Sequence, residues 1–277
     1  MVPIKGRSME SCEDLKDISL GILAWRTPET LKRTLSSYSR SHLLNSVGEV
    51  TVFFNQVHEA DLKIAESFGL RCIPSEENIG IGPALSKLVS SSTKNHFMFL
   101  EGDWLCVEEH EQVKQRLRIG LDLINRRNVD VVRYRHRIRY GWPLYSRATY
   151  WKKGARAISD HLLDTIHWVK KPEERFPQIK KKILGGENWY FASSKHANYT
   201  NNPCLYEREF LERELLPRAY GTGISLEVDL HDWWKSQEFS VAQGPGLFKH
   251  RPLEISGQGY TASSAFKLRL FRALGIA

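Results

Sequence analysis

The chain predicts an α/β fold: a mostly parallel central sheet flanked by helices, with an extension on its carboxyl side. Three observations carry this. Short apolar runs with β-branched and aromatic residues alternate with stretches whose apolar residues recur at helical spacing, as in strand–helix–strand units with right-handed crossovers. Several of these runs end abruptly in polar residues. At 277 residues, 41% of them hydrophobic, the chain can bury a large core as one domain.

Residues 1–16 are polar and read as a loose lead-in. Ile18–Leu23 reads as a buried strand followed by the loop Ala24-Trp25-Arg26. Thr27 is placed to cap a helix with Pro28 in its first turn and Leu31, Leu35 and Tyr38 on one face. Val50–Phe54 is a second strand, ending at Asn55-Gln56. A helix from Asp61 to Phe68 stops at Gly69, and Arg71–Pro74 is a short third strand. Next, Glu77-Asn78-Ile79-Gly80-Ile81-Gly82-Pro83-Ala84 forms a turn into a helix that runs towards Ser91. Its glycines permit close backbone approach, and free N–H groups there suit a phosphate or polar sugar. A loop-to-helix junction also needs such residues for structure alone.

The fourth strand, Phe97-Met98-Phe99-Leu100, closes on Glu101-Gly102-Asp103. A carboxylate is costly to bury unpaired, but at the carboxyl end of a strand it meets solvent, cations and ligands. Glu101 and Asp103 offer hard oxygen donors suited to Mg²⁺ or Mn²⁺. The plainer reading is an acidic turn.

In the second half, Val107–Asn125 reads as a helix with Val113, Leu117, Leu121 and Ile124 inward. A strand from Val129 to Tyr140 would set Arg133, Arg135, Arg137 and Arg139 on one face. That row is either a solvated outer face or a surface for an anionic acceptor, phosphate or nucleic acid. Lys170-Lys171 and Lys180–Lys182 read as solvated runs. Gly185–Phe191 has strand character and Tyr206–Leu216 looks helical. Glu227 and Asp229 precede a Trp-rich helix, where acids offer a general base or simply favour a helix start. Gln243–Arg251 is a Gly-Pro turn followed by a short strand ending at His250.

This order of strands, the Asn78-x-Gly80-x-Gly82 turn and Phe99-Leu100-Glu101-Gly102-Asp103 resemble the GT-A fold nucleotide-sugar-dependent glycosyltransferases, in particular the broad family-2-like group. The resemblance covers residues 17–107 well and the rest loosely. It implies a nucleotide-sugar-binding half at 17–125 and an acceptor-binding, catalytic half of the same domain at 126–277. By the same resemblance, Asp103, with Glu101 in place of the family's first Asp, holds Mn²⁺ or Mg²⁺ against the donor diphosphate. Trp25, Arg26 and Asn55 are implied at the base and ribose, and Asn78, Gly80 and Gly82 at the donor. His250 would touch the metal or diphosphate, with Lys249 and Arg251 neutralising phosphate charge. Glu227 is the implied base, with Asp229 second. The implied activity is an inverting, metal-dependent transfer from a nucleotide-diphosphate sugar, UDP-sugar favoured, to a glycan or protein-linked glycan acceptor.

Two rivals differ in their residues. A sugar-phosphate nucleotidyltransferase wants a glycine-rich basic loop where Ala24-Trp25-Arg26-Thr27 stands. A basic nucleic-acid-binding module would use the arginine row, although no stable nucleic-acid partner is expected. The net charge of +8 suits an anionic donor as well as nucleic acid or a membrane surface. The four cysteines lack metal or redox spacing, no secretory leader is evident, and no apolar run reaches the roughly 18–20 residues of a membrane span, so a cytoplasmic protein is expected. The basic amphipathic stretch Ala265–Leu274 is expected to dock on the core, with peripheral membrane contact as the alternative.

Overall fold

The computed structural model of the protein describes residues 14–219 and 226–251. Its strands are β1 (Ile18–Ala24), β2 (Glu49–Phe54), β3 (Arg71–Pro74), β4 (His96–Glu101), β5 (Trp104–Cys106), β6 (Val131–Arg135), β7 (Lys180–Leu184), β8 (Glu187–Ser193), β9 (Cys204–Glu207) and β10 (Ser240–His250). They form one sheet in the order β3-β2-β1-β4-β9-β6-β10-β8-β7, with β5 paired to β10. β3, β2, β1 and β4 run parallel, as do β6 and β10. β9 is inserted antiparallel between β4 and β6, and β8 lies antiparallel to β10.

The early helices are α1 (Pro28–Arg40), α2 (Leu43–Ser46), α3 (Glu59–Ser67), α4 (Ile81–Ser90), α5 (His110–Asn125) and α6 (Tyr145–Lys153). Every residue of β1 is buried, because a parallel strand covered on both faces has no side to give to solvent. Alternate residues feed two cores. Leu20 and Ile22 join Leu31, Leu35 and Leu117 on one face; Leu23, Phe53 and Phe97 join Leu85 and Leu88 on the other. The predicted α/β architecture and its first four strands are all found.

The second half departs from expectation at four places. Trp104–Cys106 is strand β5, pairing with the end of β10, so the helix starts at His110 rather than Val107. β6 stops at Arg135, and Arg133 and Arg135 are buried, not displayed as half of a basic surface. Tyr206 lies in β9, and the helix begins only at Arg208. A Gly-Pro pair that suggested a turn is instead a bulge within the single long strand β10, where register with β6 shifts between Gln243 and Phe248. Cys72, Cys106 and Cys204 are free thiols, in line with the reading of their spacing. Among the described residues no helix is long and apolar enough to cross a membrane. The Ala265–Leu274 stretch, Cys12 and most of the lead-in lie outside the described residues.

Candidate active site

The carboxyl ends of β1, β2 and β4 share one rim because the strands are parallel and in register, Leu23 opposite both Phe53 and Glu101. The acidic turn is fastened there. Gly102 donates its N–H to the Leu23 carbonyl at 2.8 Å, and the Thr34 hydroxyl of α1 donates to the Gly102 carbonyl at 2.7 Å. Tyr38 donates to the Trp104 carbonyl at 2.6 Å, and Arg251 N–H reaches the Asp103 carbonyl at 3.0 Å. Asp103 is therefore held rigidly, with only 9% of its surface exposed.

Asp103 Oδ2 lies 3.0 Å from His250 Nε2, while its Oδ1 is buried with no hydrogen-bond partner among the described residues. The other ring nitrogen of His250, Nδ1, faces the Trp142 carbonyl, which can only accept, so Nδ1 carries the proton. Without a second proton, Nε2 and the Asp103 carboxylate aim lone pairs at the same point. Such an arrangement suits a cation, and a backbone carbonyl that fixes the far nitrogen is what orients a metal-binding imidazole.

Glu101, two residues before Asp103, feels the charges of both Asp103 and Glu227. Burial pushes the Glu101 carboxyl well above the usual range, and the charges of Asp103 and Glu227 push it further. Three acids from two distant parts of the chain thus crowd one another, a cost that a divalent cation or a proton would relieve. Glu227 is positioned by hydrogen bonds to its Oε1 from the Thr200 hydroxyl at 2.9 Å and the Asn201 N–H at 2.8 Å. Asp229, two residues on in Leu226–Asp229, is exposed to solvent and is not among the acids that raise Glu101.

The remaining candidates divide. Asn55 is 4% exposed and spends its amide on the neighbouring loop, donating to Asn78 Oδ1 at 2.7 Å and accepting from Ile79 N–H at 2.7 Å. Asn78 Oδ1 also accepts from Gly80 N–H at 3.0 Å. Asn55 and Asn78 thereby shape the turn that the sequence placed at the rim. Gly82 serves packing: a Cβ there would sit 2.0 Å from the Ala219 carbonyl, so only glycine lets α4 approach Leu216–Ala219. Trp25 and Arg26 are partly exposed beside β1, and Arg26 donates to His58 at 3.2 Å. Lys249 is exposed and Arg251 partly so, flanking His250.

Sequence reasoning missed the groups that hold His250. Arg135 donates to the carbonyls of Tyr140 at 3.1 Å, Gly141 at 3.3 Å and Pro143 at 2.6 Å, and its guanidinium lies 5.3 Å from the Trp104 ring centre. Burial lowers its pKa to about 10, against the pull of Asp164 and Glu227. The loop 140–143 that it ties down carries the Trp142 carbonyl facing His250, and His250 N–H in turn donates to the Tyr140 carbonyl at 3.2 Å. Gly141 has φ +71° and no room for a Cβ, which would meet the His250 carbonyl at 1.7 Å. The other arginines of the row are also structural. Arg133 pairs with Asp164 at 3.4 Å and the Asn198 carbonyl, Arg137 donates to the Ile166 carbonyl at 3.1 Å, and Arg139 pairs with Glu108. A row that alternation would line up on one face is instead engaged by internal acceptors and by Glu108, with Arg139 the one of the four that stays exposed.

No protein-family profile and no curated protein sequence matches the chain. Solved structures do. S. aureus TarS (residues 1–349) is similar with a TM-score of 0.52 and 12% identity over 84% of this chain and 60% of that one. The same fragment in complex with UDP gives 0.51 and 12%, over 84% and 59%. The mannosyltransferase PcManGT from Pyrobaculum calidifontis, in complex with GDP-Man and Mn²⁺, gives 0.50 and 11%, over 93% and 61%. The chain thus spans about 60% of the length of these structures. At such identities the likeness concerns the fold, which is GT-A.

Proposed function

We propose that this chain is a metal-dependent glycosyltransferase that moves a sugar from a nucleotide-diphosphate sugar to a hydroxyl of a glycan or protein-linked glycan acceptor. One observation carries the reading: Asp103 Oδ1 is buried without a donor, on a carboxylate that faces His250 Nε2 beside a Glu101 carboxyl raised by burial and then by its acidic neighbours. A bare acidic turn has no reason to bury an unpartnered carboxylate oxygen, whereas a cation site does. Asp103, His250 and Glu101 offer two oxygens and one nitrogen, a donor set that fits Mn²⁺ and, less closely, Mg²⁺. When bound, the cation would stabilise charge on the departing diphosphate by several kcal/mol.

The chain's own residues do the rest. Trp25 and Arg26 lie at the rim where the nucleoside would rest, and the Asn78–Gly82 turn, braced by Asn55, lines the donor side. Lys249 and Arg251 add positive charge near the diphosphate. Glu227, its Oε1 held by Thr200 and Asn201, would receive the acceptor's hydroxyl proton on Oε2, typically a gain of about 10²–10⁴-fold. Exposed Asp229 is the weaker choice. A base on the face opposite the leaving group implies inversion. UDP is the first nucleotide to try; the two named neighbours bind UDP and GDP-Man respectively. A cytoplasmic setting, with no bound nucleic acid, completes the reading.

Thermal shift against UDP, GDP, CDP and their sugars, with and without Mn²⁺, tests it. One nucleotide should raise the melting temperature only with Mn²⁺, and Asp103→Ala should abolish that response and lower turnover by orders of magnitude. An equal response in Asp103→Ala, or salt-sensitive DNA or RNA binding in place of nucleotide binding, overturns the proposal.

A further inference from the structure

A second constellation, built on other elements, is not used by that chemistry. Asp160 and His161 sit between the short helical turns Ala155–Ile158 and Leu162–His167; His231 opens the helix His231–Ser236. One ligand atom from each of the three lies within 4.8 Å of the others. His231 Nε2 is 3.1 Å from Asp160 Oδ2, and His161 Nε2 is 3.8 Å from Asp160 Oδ1. The two imidazoles are stacked, with ring centres 5.8 Å apart. Ligand atoms around a tetrahedral zinc ion lie roughly 3.3 Å apart for bonds of about 2.0 Å, so these three need only small rotations to share one ion.

We propose that Asp160, His161 and His231 bind a zinc-like divalent cation that clips residues 155–168 to the helix following Glu227. A second observation points the same way. The far nitrogen of His161, Nδ1, faces the carboxylate of Asp164 at 3.9 Å, and Asp164 is itself fixed by Arg133. A carboxylate behind a histidine whose other nitrogen meets further donors is the outer-shell arrangement of zinc sites. Two imidazoles and one carboxylate favour zinc, cobalt or nickel over the oxygen-preferring Mn²⁺ and Mg²⁺. The side chains are 19–31% exposed, which leaves a path for the ion and room for a water as fourth ligand. Lys235 Nζ, 3.5 Å from Asp160 Oδ2, makes a long contact that the ion would displace. The clip matters because His231 stands four residues after Glu227, so the ion would steady the segment that carries the base.

This inference does not rest on the glycosyltransferase reading, and the test separates the two. In the Asp103→Ala variant, where the rim site is disabled, Zn²⁺ should raise the melting temperature and Co²⁺ should produce a visible ligand-field band. Both signals should vanish in Asp103→Ala/His231→Ala. In Asp103→Ala/His161→Ala the affinity should fall by at least the ~10–100-fold that loss of an outer-shell partner causes. Absence of both signals in Asp103→Ala shows a plain ion-pair cluster of Asp160 with protonated histidines and overturns the proposal. Signals that survive both histidine replacements overturn it equally. Should one variant fail to fold, the other histidine decides.

Discussion

Within the one sheet, strands β1 to β4 with their helices and strands β5 to β10 solve the same problem by different means. In the first part no lysine or arginine is buried among the described residues: Ile18, Leu20, Ile22, Phe53, Phe97 and Leu100 lie under the leucines of α1 and α4, and the buried polar side chains are mostly short ones such as Ser19, Thr34, Thr51 and Asn55. Regular strand–helix units satisfy most of their own backbone, so no long cationic side chain has to be buried to do it. In the second part Arg116, Arg133, Arg135, His136, His167 and Gln243 are buried as well. Segments outside the strands at 136–144, 154–169 and 194–203 leave carbonyls without ladder partners, and arginine side chains reach in to meet them. The repeat fixes Asn55, Glu101 and Asp103 at strand ends; buried charge fixes the irregular segments of the second part.

The largest way to break this contrast is Arg133→Met. It leaves the Asp164 carboxylate, held far below its usual range mainly by His161 and Arg133 against its own burial, and the Asn198 carbonyl short of a partner. The expected loss is about 3–5 kcal/mol in urea unfolding, the cost of stranding one half of a buried pair. Leu35→Ala, in the apolar half, should cost a comparable ~2–5 kcal/mol through its cavity, but with the same value at pH 5.5 and pH 8. An Arg133→Met loss below 1 kcal/mol would show that buried charge is incidental to the second half.

That difference also sets how much was legible beforehand. Strands β1 to β4 and the Glu101-Gly102-Asp103 turn could be read because periodicity and strand-end polarity are local properties. β9 could not: its antiparallel insertion between β4 and β6 depends on a contact more than a hundred residues away in sequence, and Tyr206 suits a helix or a strand equally. The arginine row misled for a related reason. Alternation reports which side chains share a face but not whether that face is covered, and here residues 164–198 cover it. At the site, Asp103 and His250, both named from the resemblance, meet directly, and Glu101, also named, feels the charges of Asp103 and Glu227. Arg135, Thr200 and Asn201 carry no local signal, since each acts by binding backbone or carboxylate groups that only the fold supplies.

A middle-sized effect sharpens the comparison through pH. His167 is buried and neutral: Nδ1 donates to the Arg137 carbonyl at 3.0 Å, and Nε2 accepts from Gln243 at 3.2 Å. Burial first, and then the nearby Arg135 charge, lower its pKa to about 3. Its unfolded value is about 6.5, so the folded pKa is depressed. Stability from the neutral ring is therefore complete above pH 6.5 and is lost as pH falls towards 3, because the unfolded chain takes up the proton first. At pH 5 the loss should be about 2 kcal/mol relative to pH 7.5. His136, lowered by burial, adds in the same direction. His167→Gln should flatten most of this slope in denaturant titrations across pH 5–7.5, and an unchanged slope would place the acid sensitivity elsewhere.

The smallest effect tests whether charge matters by its kind or by its place. Asp122 in the last turn of α5 and Arg126 just past its end pair at 2.7 Å, with side chains 54% and 70% exposed. The chemistry matches that of Arg133 and Asp164, but water can solvate either partner alone. Asp122→Ala should cost only ~0.3–0.5 kcal/mol, shrinking further in 0.5 M salt, whereas the Arg133 effect should hardly change with salt. If both pairs respond alike to salt, then the Arg133 pair is wetter than its 3% side-chain exposure implies, and the contrast between the two halves of the sheet narrows to one of regularity alone.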